Sequence, residues 1–201
     1  MCHHVSKSNY SNMNKVTPED RRKIKSWVRK CMNLLKKKDY PLNITRSDVD
    51  YAVKVTRVVN KNFEGATYGG LCQIQINLNY WQHRNGAGIE EEYAAFANNP
   101  VYGDRQVTDV DDRLLITVAH EVAHHVQYRI MQADHRIKRS VWRKPHGDGF
   151  QRIYRWLRQD LVNPIIDAKI AELEKKKQLK KITKLKQMDL PMDGEEFKLV
   201  A

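Results

Sequence analysis

The sequence predicts a single domain of the α+β class, in which a small sheet accompanies several helices. Between Cys72 and Leu78, apolar and polar residues alternate with the period of two that marks a half-buried strand. Longer stretches instead carry apolar residues three and four apart, which is the spacing of amphipathic helices. With 201 residues, of which 41% are hydrophobic, the chain has enough apolar material for one core.

The predicted domain spans residues 17–163, between a flexible arm (1–16) and a lysine-rich helical tail (164–201). Its first helix begins at Thr17, which can cap the helix, with Pro18 at the first helical position and Asp20 at the third. Asp39-Tyr40-Pro41 ends this helix. A second helix is expected over 47–62, although its many β-branched residues lower helix propensity. Glycines then mark a turn before the strand Cys72–Leu78.

The second half of the chain begins with residues 80–109, which are interpreted as loop with one short helix near 89–97. A long helix is expected next, with Thr108 and Asp111 as a capping box and Leu114 to Ile130 supplying its apolar face. Another helix should start near Gly147–Gly149 and run to Val162, where Asn163-Pro164 interrupts it. The tail over 165–187 is helical in composition.

Several protein classes are excluded by composition. The longest strongly apolar run, Leu114–Ala119, has six residues, whereas a transmembrane helix needs about 20, so no membrane span is expected. The first twenty residues are polar and lack the apolar core of a secretory signal. Three widely spaced cysteines form neither a disulfide framework nor a cysteine zinc site. We therefore expect a cytoplasmic protein in a reducing compartment.

The net charge of +12 is unevenly distributed. Residues 21–38 contain nine Lys and Arg and no acid, and residues 129–158 contain nine against two acids, whereas 87–128 is acidic. Basic clusters favour a polyanionic partner such as DNA, although many lysines merely solvate helix surfaces. The candidate nucleic-acid contacts are Arg21, Arg22, Lys25, Arg29, Arg139, Arg143 and Lys144.

A metal-binding motif lies on the long helix. His120-Glu121-Val122-Ala123-His124 is an H-E-x-x-H sequence, and residues four apart share one helical face, so both imidazoles can bind one ion. Glu121 then stands beside the metal, where it can take a proton from a water. We therefore expect a catalytic Zn²⁺ held by His120 and His124, with Glu121 as general base.

A catalytic zinc needs a third protein ligand. A metzincin arrangement is excluded by Gln127 and Ile130, and a glutamate ligand is excluded because no Glu occurs between Glu121 and Glu172. His146 is the first candidate, because Pro145 and Gly147 fix a turn just before a helix that Phe150 anchors in the core. His135, in a polar linker, is the next candidate. His125 points about 100° away from His124 around the helix.

His120-Glu121-x-x-His124 followed by His146-Gly147-x-x-Phe150 resembles the paired motifs of the SprT-like family of zinc metallopeptidases, over roughly residues 45–160. The resemblance implies a zincin-like metallopeptidase domain of the α+β class, with His120, His124 and His146 as zinc ligands and Glu121 as catalytic base and acid. It further implies peptide-bond hydrolysis and, in the family's Spartan branch, cleavage of proteins crosslinked to DNA. The stretch from Glu92 to Pro100 is similar to compact phage members, which implies a bacterial host.

Two features depart from the family pattern. The spacer between His124 and His146 is longer than usual, and the chain lacks the C-x-x-C pairs of the C-terminal zinc ribbon that many members carry. The prediction is therefore a compact zinc metalloendopeptidase that acts on DNA-associated proteins. Two alternatives stay open: a zinc protease without a nucleic-acid link, and a basic nucleic-acid-binding protein with a non-catalytic zinc site. The oxyanion-stabilising residue is also open; the candidates are Tyr68, His83, Tyr93, Tyr102 and Tyr154.

Overall fold

The computed structural model describes residues 16–38, 53–56, 65–68, 73–78, 87–92, 94–133 and 144–188. These residues form helices and two small sheets, as expected for the α+β class. The helices are α1 (Pro18–Lys37), α2 (Val110–Ala133), α3 (Asp148–Leu157) and α4 (Asn163–Met188), with a π-helical segment (Arg158–Val162) between α3 and α4. The strands are β1 (Val53–Thr56), β2 (Gly65–Tyr68), β3 (Gln73–Asn77), β4 (Gly88–Glu90) and β5 (Arg105–Val107).

The described residues up to Ile166 form one compact unit, and those from Asp167 onward form a second. In the first unit, α2 packs against α1 and α3 and against strands β2 and β3. The core lies around α2, where Val118, Ala119, Val122 and Val126 are completely buried. The helix that carries the H-E-x-x-H motif is therefore the central element of this unit.

Helix α1 begins as the sequence predicts. The Thr17 side chain accepts the backbone N–H of Asp20, and the Asp20 carboxylate accepts the backbone N–H of Thr17, which completes a reciprocal capping box. Pro18 occupies the first turn, where its missing N–H costs nothing. The apolar face of the helix is buried against the core through Ile24, Val28, Cys31 and Leu35.

The larger sheet has the strand order β1-β3-β2, with β1 parallel and β2 antiparallel to β3. Ile74, Ile76 and Leu78 are buried and Gln75 is half-buried, as the predicted alternation requires. Asn77, which the pattern assigned to the polar face, is instead completely buried, so the alternation holds only over residues 74–76. The strand is central in the described sheet. Both sides of β3 are paired, by β1 and by β2, so it is a core strand and not an edge to which an extended peptide could add.

The predicted helix over 47–62 is wrong where the structure describes it, because Val53–Thr56 is strand β1. Three of its four residues are β-branched, and such side chains suit a pleated strand better than a helix. Val53 is paired in register with Ile74 of the central strand. This long-range pairing outweighs the helical spacing of the apolar residues. The rest of 47–62 lies outside the described residues.

The interpretation of 80–109 as mostly loop missed a second sheet, in which β4 and β5 pair antiparallel. The expected helix near 89–97 is also wrong, since Gly88–Glu90 is strand and residues 94–98 form turns. Ile89 is exposed, whereas Glu90 is buried in an ion pair with Arg113 of α2. The usual polarity is thus reversed in β4, and a search for alternating buried apolar residues does not detect this strand. Strand β5 has the usual polarity, with Val107 buried, but is only three residues long.

The start of α2 differs slightly from expectation. The backbone N–H and the hydroxyl of Thr108 both donate to Asp112, at 2.7 and 2.6 Å, rather than to Asp111. Asp109 accepts the backbone N–H groups of Asp111 and Asp112 and so caps the helix. The Asp111 carboxylate instead pairs with Lys23 at 2.9 Å, which ties α1 to the first turn of α2.

The sequence predicts that Asn163-Pro164 interrupts the last helical stretch, and this prediction is wrong. The chain passes from α3 through the π-helical segment into α4. Proline removes one backbone donor and crowds the carbonyl four residues earlier. A π turn widens the helix locally, which removes this conflict without ending the helix. This segment also places Arg158 and Asn163 close to the candidate site described below.

In the second unit, α4 is exposed along residues 171–185. Glu172 and Lys176 form an ion pair one turn apart at 2.6 Å. Among the described residues, no helix is long and apolar enough to cross a membrane. The predicted arm, apart from Val16, lies outside the described residues, as do residues 189–201 of the predicted tail.

Candidate metal centre

Three histidine side chains converge on one point. His120 and His124 lie one turn apart on α2, and His146 lies in the turn just before α3. Their Nε2 atoms form a nearly equilateral triangle, with 3.2 Å between His120 and His124, 3.1 Å between His124 and His146, and 3.2 Å between His146 and His120. The structure therefore brings together the two motif histidines and the first-choice third histidine, close enough to bind one metal ion.

The spacing of these nitrogens fits a tetrahedral metal ion. Nitrogens that bind an ion at about 2.0–2.1 Å with tetrahedral angles lie about 3.3–3.4 Å apart. The observed separations of 3.1–3.2 Å are close to this value. Three neutral imidazoles cannot all satisfy one another by hydrogen bonds between these nitrogens, because an Nε2 that carries a proton can donate but has no lone pair with which to accept. A cation that accepts three lone pairs does satisfy them.

Protonation of two of the three histidines, His124 and His146, is disfavoured. Burial, and then the neighbouring His120 and His146, lower the pKa of His124 to about 2. Burial and then His120 also lower the pKa of His146, while the Glu92 carboxylate opposes this shift. Metal binding requires unprotonated nitrogens, so both histidines are already in the binding form near neutral pH.

The imidazoles rest on a layer of aromatic rings. The completely buried ring of Phe150 lies 4.3 Å from His124, 4.9 Å from His120 and 5.0 Å from His146, measured between ring centroids. Phe96 contacts His146 edge-on, and Tyr154 packs against His120 at 5.3 Å. The sequence predicts that Phe150 anchors α3 in the core, and its burial confirms this. The same ring also restricts the orientation of all three histidines.

Two glutamines hold the turn that carries His146. Gln127 on α2 is buried and donates its amide to the Lys144 carbonyl at 3.1 Å. Gln151 on α3 donates to the carbonyl of His146 itself at 3.0 Å. Within the turn, the Gly147 N–H donates to the Lys144 carbonyl at 3.1 Å, so the backbone folds back on itself. His146 is thus fixed from both flanking helices.

The other residues predicted for the site lie near the cluster in sequence. Glu121 follows His120 on α2 and is buried, with 6% of its surface exposed. His125 is buried and is not part of the three-histidine cluster. His135, the second candidate for the third ligand, lies outside the described residues.

Sequence reasoning missed Glu92, whose carboxylate faces His120. Its Oε2 atom lies 3.8 Å from His120 Nδ1, and its Oε1 accepts hydrogen bonds from Arg158 at 2.9 Å and from the Tyr154 hydroxyl. Burial raises the pKa of Glu92, but His120, Arg158 and Tyr154 together hold it below its ordinary value. The sequence does contain a signal for such a carboxylate. Arg158 follows Tyr154 by four residues and so lies on the apolar face of the helix. A buried arginine requires an anionic partner.

Two of the tyrosines that were candidates for stabilising the oxyanion have hydroxyls that are hydrogen-bonded within the protein. The Tyr102 hydroxyl donates to Gln151 at 3.1 Å. The Tyr154 hydroxyl donates to Glu92 and accepts from Arg158 at 2.8 Å, and burial raises its pKa well above the ordinary value. Both hydroxyls are therefore engaged in holding the site together. The structure does not describe the side chains of the other candidates, Tyr68, His83 and Tyr93.

The candidate nucleic-acid contacts are only partly described. Arg21 and Arg22 are exposed on α1, and Lys25 and Arg29 are half-buried on the same helix. Lys144 is exposed, two residues before His146. Arg139 and Arg143 lie outside the described residues.

Comparisons of this chain with protein-family models, with curated proteins and with solved structures found no match.

Proposed function

We propose that this protein is a zinc-dependent metalloendopeptidase with a zincin-like domain of the SprT-like type. The observation that carries the proposal is the convergence of the three Nε2 atoms within 3.1–3.2 Å, next to Glu121 on the same helix. Three histidines from an H-E-x-x-H helix and a following turn are the ligand number of a catalytic zinc site, which keeps a fourth position for water or substrate. A closed structural site would need a fourth protein ligand.

Zinc is the metal that the donor set favours. Imidazole nitrogens in a tetrahedral arrangement suit Zn²⁺, whereas Mg²⁺ and Ca²⁺ prefer oxygen ligands. His120, His124 and His146 would hold the ion. The chemistry that zinc supplies when bound is Lewis-acid polarisation of a carbonyl and a lowered pKa of a water molecule.

Glu121 would carry the proton during hydrolysis. Its carboxylate takes a proton from the attacking water as the new C–O bond forms, and it then gives that proton to the amide nitrogen as the C–N bond breaks. The proton is thus returned, so Glu121 is regenerated in each cycle. Glu121 directly follows the ligand His120, which is the order of the general base in an H-E-x-x-H motif. The buried Phe150 ring limits the movement of His120 and His124.

The proposed substrates are proteins bound or crosslinked to DNA. The support is electrostatic: Arg21 and Arg22 are exposed on the basic helix α1, and Lys144 is exposed two residues from His146. Phosphate contacts by such side chains would give binding without sequence preference and with a steep dependence on salt. A protease without a nucleic-acid link is the alternative, and DNA binding by the full chain separates the two.

The test compares the wild type with Glu121→Gln. Both proteins are assayed for bound zinc and for cleavage of a basic DNA-binding protein, with and without single-stranded DNA. We expect zinc in both and cleavage by the wild type only, with a loss of about 10²-fold to 10⁴-fold in the variant. Zinc in both but cleavage in neither would contradict the peptidase assignment. Cleavage that DNA does not stimulate would contradict only the nucleic-acid part.

A further inference from the structure

We propose that Glu92 is a positioning residue of the metal centre: its carboxylate, held by Arg158 and Tyr154, orients the His120 imidazole so that Nε2 faces the metal. This inference rests on the metal binding proposed above and is independent of peptidase activity. It assigns a role to the π-helical segment, which supplies the arginine.

The two carboxylate oxygens of Glu92 have different partners. Oε1 accepts from Arg158 Nη1 at 2.9 Å and from the Tyr154 hydroxyl, so this side of the carboxylate is fixed. Oε2 faces Nδ1 of His120 at 3.8 Å, which is an electrostatic contact longer than a hydrogen bond. His120 Nε2 belongs to the nitrogen triangle. The imidazole therefore has a carboxylate on one nitrogen and the metal position on the other.

A negative charge beside Nδ1 favours the tautomer that carries its proton there, which leaves the Nε2 lone pair for the metal. Partners of this kind fix the ring orientation and raise ligand basicity, and their loss typically lowers metal affinity by about 10-fold to 100-fold. The Tyr154 ring packs against His120 at 5.3 Å, so the residue that holds Glu92 also restrains the histidine ring.

Arg158 is held as firmly as the carboxylate that it pairs with. It is completely buried, and besides Glu92 it donates to the Tyr154 hydroxyl at 2.8 Å, to the Gly103 carbonyl at 3.2 Å and to Asn163 at 3.2 Å. Asn163 in turn donates to the Val101 carbonyl at 2.8 Å. The loop 99–104 and both ends of the π-helical segment thus meet at one guanidinium. This arrangement defines where the Glu92 carboxylate lies.

The chain contains a matched control for a merely structural role. Glu90, two residues earlier, forms a buried ion pair with Arg113, and this pair includes none of the three histidines. Glu90→Gln and Glu92→Gln remove the same charge from comparable buried pairs. Only the second removes a carboxylate that faces a proposed metal ligand.

The experiment compares the wild type, Glu92→Gln and Glu90→Gln, after circular dichroism has shown that each protein is folded. The dissociation constant for Zn²⁺ is measured by competition with a chromophoric chelator. The absorption spectrum of the Co²⁺-substituted proteins reports ligand geometry directly. We expect Glu92→Gln to bind Zn²⁺ about 10-fold to 100-fold more weakly, with an altered Co²⁺ spectrum. Glu90→Gln should keep the wild-type affinity and spectrum.

Glu92→Gln leaves Arg158 buried without its anion, so Tyr154→Phe serves as a second variant that keeps both charges and the aromatic ring. It removes one hydrogen bond from Oε1, and we expect Zn²⁺ affinity to fall by about fivefold. Wild-type affinity in a folded Glu92→Gln, or in Tyr154→Phe if the first does not fold, would overturn the inference. Equal losses in Glu92→Gln and Glu90→Gln would also overturn it. Failure of the wild type to bind Zn²⁺ would instead overturn the proposed function.

Discussion

Gly147→Ala tests whether the turn that carries His146 is as tightly fixed as the structure indicates. A Cβ at position 147 would lie 2.8 Å from the Cβ of Lys144 and 3.4 Å from its carbonyl oxygen. The φ angle of Gly147 is −77°, so the backbone itself is open to alanine and the conflict is one of space. Ordinary contact begins at 3.4 Å, so the turn must open by about 0.6 Å.

This opening is large for a metal ligand. Ligand distances in metal sites hold to within about 0.2 Å, so a shift of about 0.6 Å at residue 147 disturbs His146 beyond that tolerance. Overpacking of this kind costs about 1–3 kcal/mol. We therefore expect Gly147→Ala to lower the free energy of unfolding of the metal-free protein by that amount and to weaken Zn²⁺ binding about tenfold or more. Urea denaturation and chelator competition measure the two effects.

Gly88→Ala is the matched control, because its Cβ would meet only the end of the Arg113 side chain, at 3.2 Å. Arg113 belongs to the buried ion pair with Glu90, which includes none of the three histidines. Any adjustment therefore falls on that pair and not on the turn of His146, so we expect little change in Zn²⁺ affinity. If Gly147→Ala binds Zn²⁺ as tightly as Gly88→Ala and is equally stable, the reasoning about the turn is wrong.

Three further predictions concern the surroundings of the cluster. In the metal-free protein the pKa of His124 is about 2, against about 6.5 for an unfolded histidine. Below about pH 6.5 the unfolded state therefore binds a proton at His124 that the folded state does not. The free energy of unfolding should fall there by up to about 1.4 kcal/mol per pH unit because of this histidine. Equal urea midpoints at about pH 7.5 and about pH 5.5 would contradict this prediction. Arg158→Met leaves Glu92 buried without a cation and should lower the free energy of unfolding by about 3–5 kcal/mol. The control is Glu172→Gln, which breaks an exposed ion pair; equal melting temperatures for the two variants would refute this prediction. Gln127→Met removes the bond to the Lys144 carbonyl and should cost about 1 kcal/mol while weakening Zn²⁺ binding; unchanged affinity would show that Gln151 alone holds the turn.

The parts of the fold that the sequence predicts correctly depend on local chemistry. Three such features are the capping box of Thr17 and Asp20, the alternation over residues 74–76 of β3, and the pairing of His120 with His124. Each involves residues within a few positions of each other. His146 is farther away, but Pro145 and Gly147 mark its turn and Phe150 marks the buried helix that follows. Local signals of this kind survive folding because tertiary packing reinforces them.

The parts that the sequence does not predict depend on distant partners. Val53–Thr56 becomes a strand because it pairs with β3, and no feature within 47–62 predicts this pairing. Glu92 follows a three-residue strand without periodicity. Its carboxylate meets His120 of α2, Tyr154 of α3 and Arg158 of the π-helical segment through tertiary packing alone. The π-helical segment replaces the expected break at Pro164 because the buried contacts of Arg158 and Asn163 span it.

The most direct test of the central claim is the metal content of the purified full chain, measured by native mass spectrometry beside His146→Ala. If His120, His124 and His146 form one zinc site, the wild type binds one Zn²⁺ per chain, and the variant, left with two ligands, loses the ion during dialysis against a mild chelator. A wild-type chain that takes up no Zn²⁺, or a His146→Ala variant that retains it as tightly as the wild type, would contradict the account.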